Sequence, residues 1–313
     1  MSGPVTGAEA PFVADDAPTA PGVELSDSRD VQVGNVRVRR ALPRRGRRTV
    51  GAWCFADHMG PADVTERSGP DVGAHPHIGL QTVTWLIEGQ ALHRDSLGSA
   101  QVIAPGQLNL MTAGDGVSHS EEATGHYRGS LEGIQLWIAQ PEPTRHGAPD
   151  FEHHSQLPQV ELDRGVATVL IGELDGRLSP ARRDTPLVGA DLALVEPGVT
   201  TIPLRPDWAY ALVVLRGATA VDGQVVEPGR LGYLGVGRDE LALDALESTR
   251  VMLLGGEPLQ EQLVMWWNFV GRSREELEAA FTDWDTSSER FGRVASRLPR
   301  IPTPPPYWMR GSA

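Results

Sequence analysis

Four side chains able to bind a metal ion stand in two short pairs. His75 and His77 flank a proline in His75-Pro76-His77, and His119 and Glu121 close the run Gly116-Val117-Ser118-His119-Ser120-Glu121. In an extended strand residues i and i+2 point to one side, so each pair can present two donors to the same point. Three imidazoles and a carboxylate meeting there form an N3O set that leaves positions open on a divalent metal, which suits catalysis better than a closed structural site. Such donors accept Fe, Ni, Cu, Mn or Zn. One histidine in a β-rich core is more often a hydrogen-bonded structural residue; the double pairing, flanked by glycines, carries the metal reading.

The elements that must position these donors read as strands. Val31–Leu42 alternates as a half-buried strand does, and from Val50 to Ala139 short β-prone runs such as QTVTWLIEG and SLEGIQLWIAQ are separated by Gly, Pro and Asp. That spacing indicates a sandwich or barrel rather than alternating βαβ units. Residues 140–160 are polar and proline-rich, and a second β-rich block follows. The two blocks repeat. Pro105-Gly106-Gln107-Leu108 matches Pro228-Gly229-Arg230-Leu231 without a gap, an offset of 228 − 105 = 123 residues, and Thr84–Gly89 pairs with Val213–Gly217 upstream. The chain therefore reads as a duplicated β-barrel. The same offset carries His119 to Ala242 and Glu121 to Asp244, so the metal chemistry is expected in the first barrel alone. Ser273-Arg274-Glu275-Glu276 is a capping box that opens a short helix, about 273–282. The closing LPRIPTPPPYWMRGSA is too rich in proline for a helix or a central strand.

Composition excludes several classes. The 313 residues carry a net charge of −13, which disfavours electrostatic capture of nucleic acid, and the basic run from Arg37 to Arg48 reads as a solvated strand and turn. No apolar run approaches the length of a bilayer span. The first 29 residues, acidic and rich in Ala, Pro and Gly, lack the pattern of a signal peptide and read as a flexible leader. A single cysteine, Cys54, excludes an intrachain disulfide and fits a reducing compartment; the expected address is cytoplasmic.

Gly69, five residues, His75-Pro76-His77, then Gly89, the Pro105-Gly106 turn and His119 together resemble the paired motifs of the cupins. More narrowly, HPHIGLQTVTWLIEG, PGQLNLMTAGDGVSHSEE and FADHMGP resemble the pirin family of bicupins over most of residues 30–300. The resemblance implies an all-β protein of two tandem cupin (double-stranded β-helix, jelly-roll) barrels with a short C-terminal helix. It divides the chain into a leader (1–29), a metal-binding cupin (30–140), a linker (141–160), a second cupin without a metal site (161–300) and a proline-rich tail (301–313). It implies His75, His77, His119 and Glu121 as ligands of one divalent transition metal, Fe(II) first, with Ni, Zn, Mn, Cu or Co as alternatives. Gln81 stands where many cupins carry Glu, and is expected to be structural or to support a ligand. HRDSLGS, His93 to Ser99, resembles the bacterial branch with flavonol-cleaving activity.

The resemblance leaves three functions open, two of them leading. One is a quercetin 2,3-dioxygenase-type oxidoreductase, with a flavonol-like small molecule and O2 as partners and Glu121 as the catalytic base for the substrate hydroxyl. The other is a metal- and redox-responsive regulator that binds a protein partner; a sugar-modifying or isomerase cupin is a third. A monomer without membrane association is expected. Of the remaining candidates, His58 reads as a turn histidine satisfied by backbone groups rather than as a residue lining the pocket mouth, His93 as a strand-face residue able to support a ligand imidazole, His153 and His154 as solvent-exposed, and Cys54 as apolar filler. Trp266 and Trp267 are expected to pack against the first barrel.

Overall fold

The computed structural model describes residues 22–309. Two barrels of the same plan follow one another. In the first, a seven-stranded sheet runs in the order Asp150–His154, Leu108–Thr112, Leu80–Glu88, Gly129–Ala139, Trp53–Val64, Val36–Leu42, Arg29–Val33. A four-stranded sheet faces it in the order Val72–His77, Val117–Glu122, Ala91–Asp95, Ala100–Ile103. The second barrel repeats this plan with Arg230–Gly235, Ala209–Arg216, Thr249–Gly256, Leu187–Leu194 and Gly165–Leu174 in its large sheet. Gly198–Pro203, Glu240–Ala245, Thr219–Val221 and Gln224–Val226 form its small one.

The large sheets pack face to face. Val83, Trp85, Ile134 and Leu136 of the first barrel share one core with Ile171, Ala211, Val213 and Met252 of the second. Alternation does the sorting: the odd residues of Leu80–Glu88 enter this interface, while Leu80 and Leu86 pack into other clusters. Trp53 is the anchor of the interface. Fully buried, its indole N–H donates to the carbonyls of Val188 (3.2 Å) and Gly255 (3.1 Å) in the other barrel. Gly189 makes room for it, since a Cβ there would lie 2.8 Å from the indole ring. Trp85 reaches across to Asp191 (2.9 Å), and Glu132 to Arg216 (2.7 Å).

The chain ends exchange places between the barrels, which corrects the expected boundaries. Glu24–Asp27 pairs with Arg230–Tyr233 in the second barrel, and Arg29–Val33 is the edge strand of the first, so the expected leader is folded from residue 24; residues 1–21 lie outside the described residues. Asp150–His154, expected as linker, adds a strand beside Leu108–Thr112. His153 and His154 are accordingly half-buried, His153 against Asn109 (2.7 Å). From Leu259 onward the chain leaves the second barrel and returns to the first. Leu259, Leu263, Met265 and Val270 pack with Phe55, Leu80, Met111 and Trp137.

A hairpin, Val264–Trp266 with Phe269–Gly271, and the helix Arg274–Asp285 complete this return. Ser273 caps the helix by accepting from the Glu276 N–H (3.3 Å), but Glu276 turns its carboxylate to the N–H of Arg272 (2.6 Å), so the box is closed one residue early. Leu277, Ala280 and Trp284 of the helix meet Ile78, Trp266, Trp267 and Phe291. The proline-rich tail lies extended, with Ile301 N–H on the Ala74 carbonyl (2.8 Å); its last four residues are outside the described residues. The basic run also departs from a solvated segment. Arg40 forms a buried pair with Asp57 (2.7 Å), and Arg47 stacks on Tyr233 at 3.5 Å.

Because Trp53 ties its sheet to the facing one through both packing and two hydrogen bonds, Trp53→Ala is expected to cost about 3–5 kcal/mol of stability. Denaturant unfolding measures it, and a loss below about 1 kcal/mol would contradict this account of the interface.

Candidate metal centre

The two donor pairs meet in the small sheet of the first barrel. Val72–His77 and Val117–Glu122 are antiparallel neighbours with His119 opposite His75 and Val117 opposite His77. The ring centroids of His75, His77 and His119 lie 4.4 to 5.1 Å apart, and one nitrogen of each falls within 4.8 Å of the others. All three rings are buried. A β-bulge between His119 and Glu121 interrupts the pairing with Val72–His77, and Glu121 sits opposite His93 in the neighbouring strand. The Glu121 carboxylate is buried on this wall and its charge acts on His75, but the tight group comprises the three imidazoles.

The second nitrogen of each ring is anchored, and the anchors fix the tautomers. His75 Nδ1–H donates to the Gly73 carbonyl (2.8 Å) and His77 Nδ1–H to the Asn268 carbonyl (3.0 Å). His119 Nδ1 lies 3.4 Å from His93 Nδ1, and His93 Nε2 lies 3.1 Å from Asp95 Oδ2. Each anchor leaves an Nε2 lone pair for the centre. His77 Nε2 and His119 Nε2 then face one another at 3.1 Å in the buried interior. Two acceptor nitrogens this close are suited to sharing a cation. Two nitrogens about 2.0–2.1 Å from a common ion, roughly at right angles or tetrahedrally disposed, are separated by about 2.8–3.4 Å, so the observed spacing fits joint ligation. The residues present thus fit a metal, and this cluster can hold one.

Electrostatics agree. Burial drives the His75 pKa down to about 4, against the Gly73 hydrogen bond and the Glu121 charge. Burial, then repulsion from the neighbouring imidazoles, holds His77 and His119 well below the usual histidine value. The trio rejects protons while keeping its lone pairs, the state a metal requires. Asp95 goes the other way. Burial raises its pKa, but the bond from His93 and those from the turn after it prevail, and the carboxyl stays below its ordinary value.

Of the other candidates, His58 is neither a turn residue nor at a pocket mouth. It lies inside Trp53–Val64, buried, with Nε2 3.2 Å from Glu132, which in turn meets Arg216 of the second barrel. Burial lowers its pKa against the pull of Glu132. Gln81 points to the interface with the second barrel and donates to Thr112 (3.0 Å), a structural role. Cys54 is buried filler whose thiol burial pushes up to about 12. The mirror positions need a one-residue correction. By strand pairing, Thr200 opposite Leu243 and Ile202 opposite Leu241 correspond to His75 opposite His119 and His77 opposite Val117. Ala242 and Asp244 face outward, and the inward residues Ile202, Leu241 and Leu243 belong to an apolar core. A cavity of about 570 Å³ bordered by Arg183, Arg205 and Trp208 lies in the second barrel, away from the imidazoles.

Asn268 and Phe151 were not legible as parts of the centre. Asn268 stands in the hairpin turn after Trp267, whose φ of 55° is unusual for a residue with a side chain. Its carboxamide is fully buried, and neither the oxygen nor the nitrogen has a hydrogen-bond partner among the described residues. Trp137, edge-on to His77 at 5.2 Å, likewise has a buried indole N–H without a partner. Among the described residues the Trp137 donor beside His77 is unsatisfied, and a polar molecule there would satisfy it.

Residues 35–138 match the family model described as Pirin, and residues 189–292 the one described as Pirin C-terminal cupin domain. A Pseudomonas aeruginosa protein named a putative quercetin 2,3-dioxygenase is 48% identical over 276 residues, 88% of this chain and 87% of its own. The crystal structure of a quercetin 2,3-dioxygenase from Acinetobacter baumannii superposes with a TM-score of 0.87 at 42% identity, covering 90% of this chain and 95% of that one. The nickel(II) complex of the bacterial pirin YhhW from Escherichia coli shares the fold, with a TM-score of 0.60 at 17% identity over 76% of this chain and all (100%) of that one. With both halves matched and the three-imidazole cluster in the first barrel, the chain belongs to the pirin family of two-barrel cupins.

Proposed function

We propose that this chain is a metal-dependent dioxygenase that opens the ring of a flavonol or a related small molecule, in the manner of a quercetin 2,3-dioxygenase. The observation that carries this reading is the trio of buried, neutral imidazoles directed at one point, together with relatives named for that activity. His75, His77 and His119 would hold the ion, Fe(II) being our first assignment and Ni, Zn, Mn, Cu or Co the alternatives. When bound, it supplies a Lewis acid and a redox partner for O2. Glu121, two residues beyond His119 and buried within electrostatic reach of His75, would complete the ligand set and accept the proton of the substrate hydroxyl as general base. The unsatisfied groups of Asn268 and Trp137 are suited to the polar atoms of the substrate. The names of the relatives favour this reading over a redox-responsive partner-binding protein.

Protein loaded with iron or nickel is expected to consume O2 and release carbon monoxide with quercetin, read at an oxygen electrode and by gas analysis. His75→Ala should abolish both; a loaded wild-type protein that consumes neither substrate nor O2 would exclude the activity. Glu121→Gln is expected to lower kcat by about 10²–10⁴, the range for a lost general base, and an unchanged kcat would remove Glu121 from that role.

The imidazoles also set a pH response. Since the folded His75 pKa is about 4 against 6.5 in the unfolded chain, the unfolded chain binds more protons between these values. Stability is therefore fully present above 6.5 and falls as the pH is lowered to about 4, with His77 and His119 adding in the same direction. Thermal melts of metal-free protein should show this fall, reduced in His75→Gln. Identical pH profiles for the two proteins would contradict it.

A further inference from the structure

The three imidazoles are not held alike. His75 and His77 rest on backbone carbonyls, whereas His119 rests on another imidazole, His93, which rests on a carboxylate, Asp95. His93 and Asp95 occupy alternate positions of Ala91–Asp95, the strand paired with Val117–Glu122, where Asp95 stands opposite His119 and His93 opposite Glu121. Both are buried. Phe151 stacks on His93 with centroids 4.4 Å apart and planes 11° from parallel. Asp95 is itself fixed, because its Oδ1 accepts from the N–H groups of Leu97 and Ser99, each at 2.9 Å. Its Oδ2 is thereby presented to His93.

We infer that His93 and Asp95 form a polar relay that positions His119 and strengthens it as a metal donor. A carboxylate only accepts, so Asp95 selects the His93 tautomer with hydrogen on Nε2. His93 Nδ1 is then an acceptor, and it selects hydrogen on His119 Nδ1. The His119 lone pair is left on Nε2, directed at His77. Negative charge at Asp95 polarises the two rings in series and raises the electron density His119 donates, an effect that the carbonyl anchors of His75 and His77 provide more weakly. The Phe151 stack and the fixed Asp95 turn keep His93 from rotating out of line. The relay rests on the metal reading of the three imidazoles, but not on the identity of the substrate.

Three variants, His93→Phe, Asp95→Asn and the double substitution, test it against wild type. The probes are nickel(II) affinity by chelator competition and the Fe(III)/Fe(II) midpoint potential of iron-loaded protein, with melting of the metal-free forms to verify folding. His93→Phe keeps an aromatic ring against Phe151, and is expected to weaken nickel binding about 10–100-fold, the usual cost of losing a partner of a ligand. Asp95→Asn should weaken it in the same direction. Both should raise the midpoint potential, because a poorer donor stabilises Fe(III) less, and a purely structural role would not move it systematically. The double variant should match His93→Phe, since Asp95 acts only through His93. Additive effects, or nickel affinities within twofold of wild type with unshifted potentials, would overturn the relay. Failure of the wild-type protein to bind nickel or iron at all would instead overturn the metal reading, and the relay with it.

Discussion

Nε2 of His77 and Nε2 of His119 are held 3.1 Å apart inside the first barrel. Burial, and then the neighbouring imidazoles, hold both rings well below the usual histidine pKa. The rings of the cluster are gripped from behind. Gly73 grips His75, Asn268 grips His77, and His93 with Asp95 grips His119. Side chains gripped in this way are characteristic of functional centres, where the surrounding fold fixes the geometry that binding needs.

Asn268 explains why the chain must return on itself. It lies 191 residues beyond His77, past the whole second barrel. The hairpin that carries it docks through Val270 N–H on the Ile78 carbonyl (3.2 Å), and the helix behind it is sealed by Trp284 and Phe291. Ser118 fastens the same segment by donating to the Phe291 carbonyl (2.8 Å). The second barrel contributes otherwise. Its interior is apolar, and its large sheet supplies the face against which Trp53 and Trp85 are buried. Duplication thus gave one barrel that keeps polar donors inside and one that stabilises it.

Much of this was readable in advance. The i, i+2 spacing of His75 with His77, and of His119 with Glu121, is a local property of strands, and both pairs lie in strands; Val31–Leu42, expected as one strand, is instead a hairpin of Arg29–Val33 with Val36–Leu42. The helix near Ser273 was visible from its cap for the same reason. Features set by distant pairing were not. Nothing local in Glu24–Asp27 or Asp150–His154 distinguishes an edge strand from a linker, because their partners lie far along the chain. The one-residue error in the mirror positions has a similar origin: a constant offset cannot register an extra residue before Leu241, and a slip of one reverses every side chain in a strand. Arg40 was misjudged because a basic run reads as solvated unless a buried Asp57 is known to await one of its members. His93 carried a partial signal in its i, i+2 relation to Asp95, which was compatible with support of a ligand but could not reveal which one.

The central claim is that the three gripped imidazoles share one ion. X-ray diffraction at the nickel absorption edge, on crystals of nickel-loaded protein, tests it most directly. A single anomalous peak per chain within ligation distance of Nε2 of His75, His77 and His119 is the expected result. A loaded protein whose peak lies elsewhere, for instance at His153 and His154, with the three imidazoles still in contact, would contradict it.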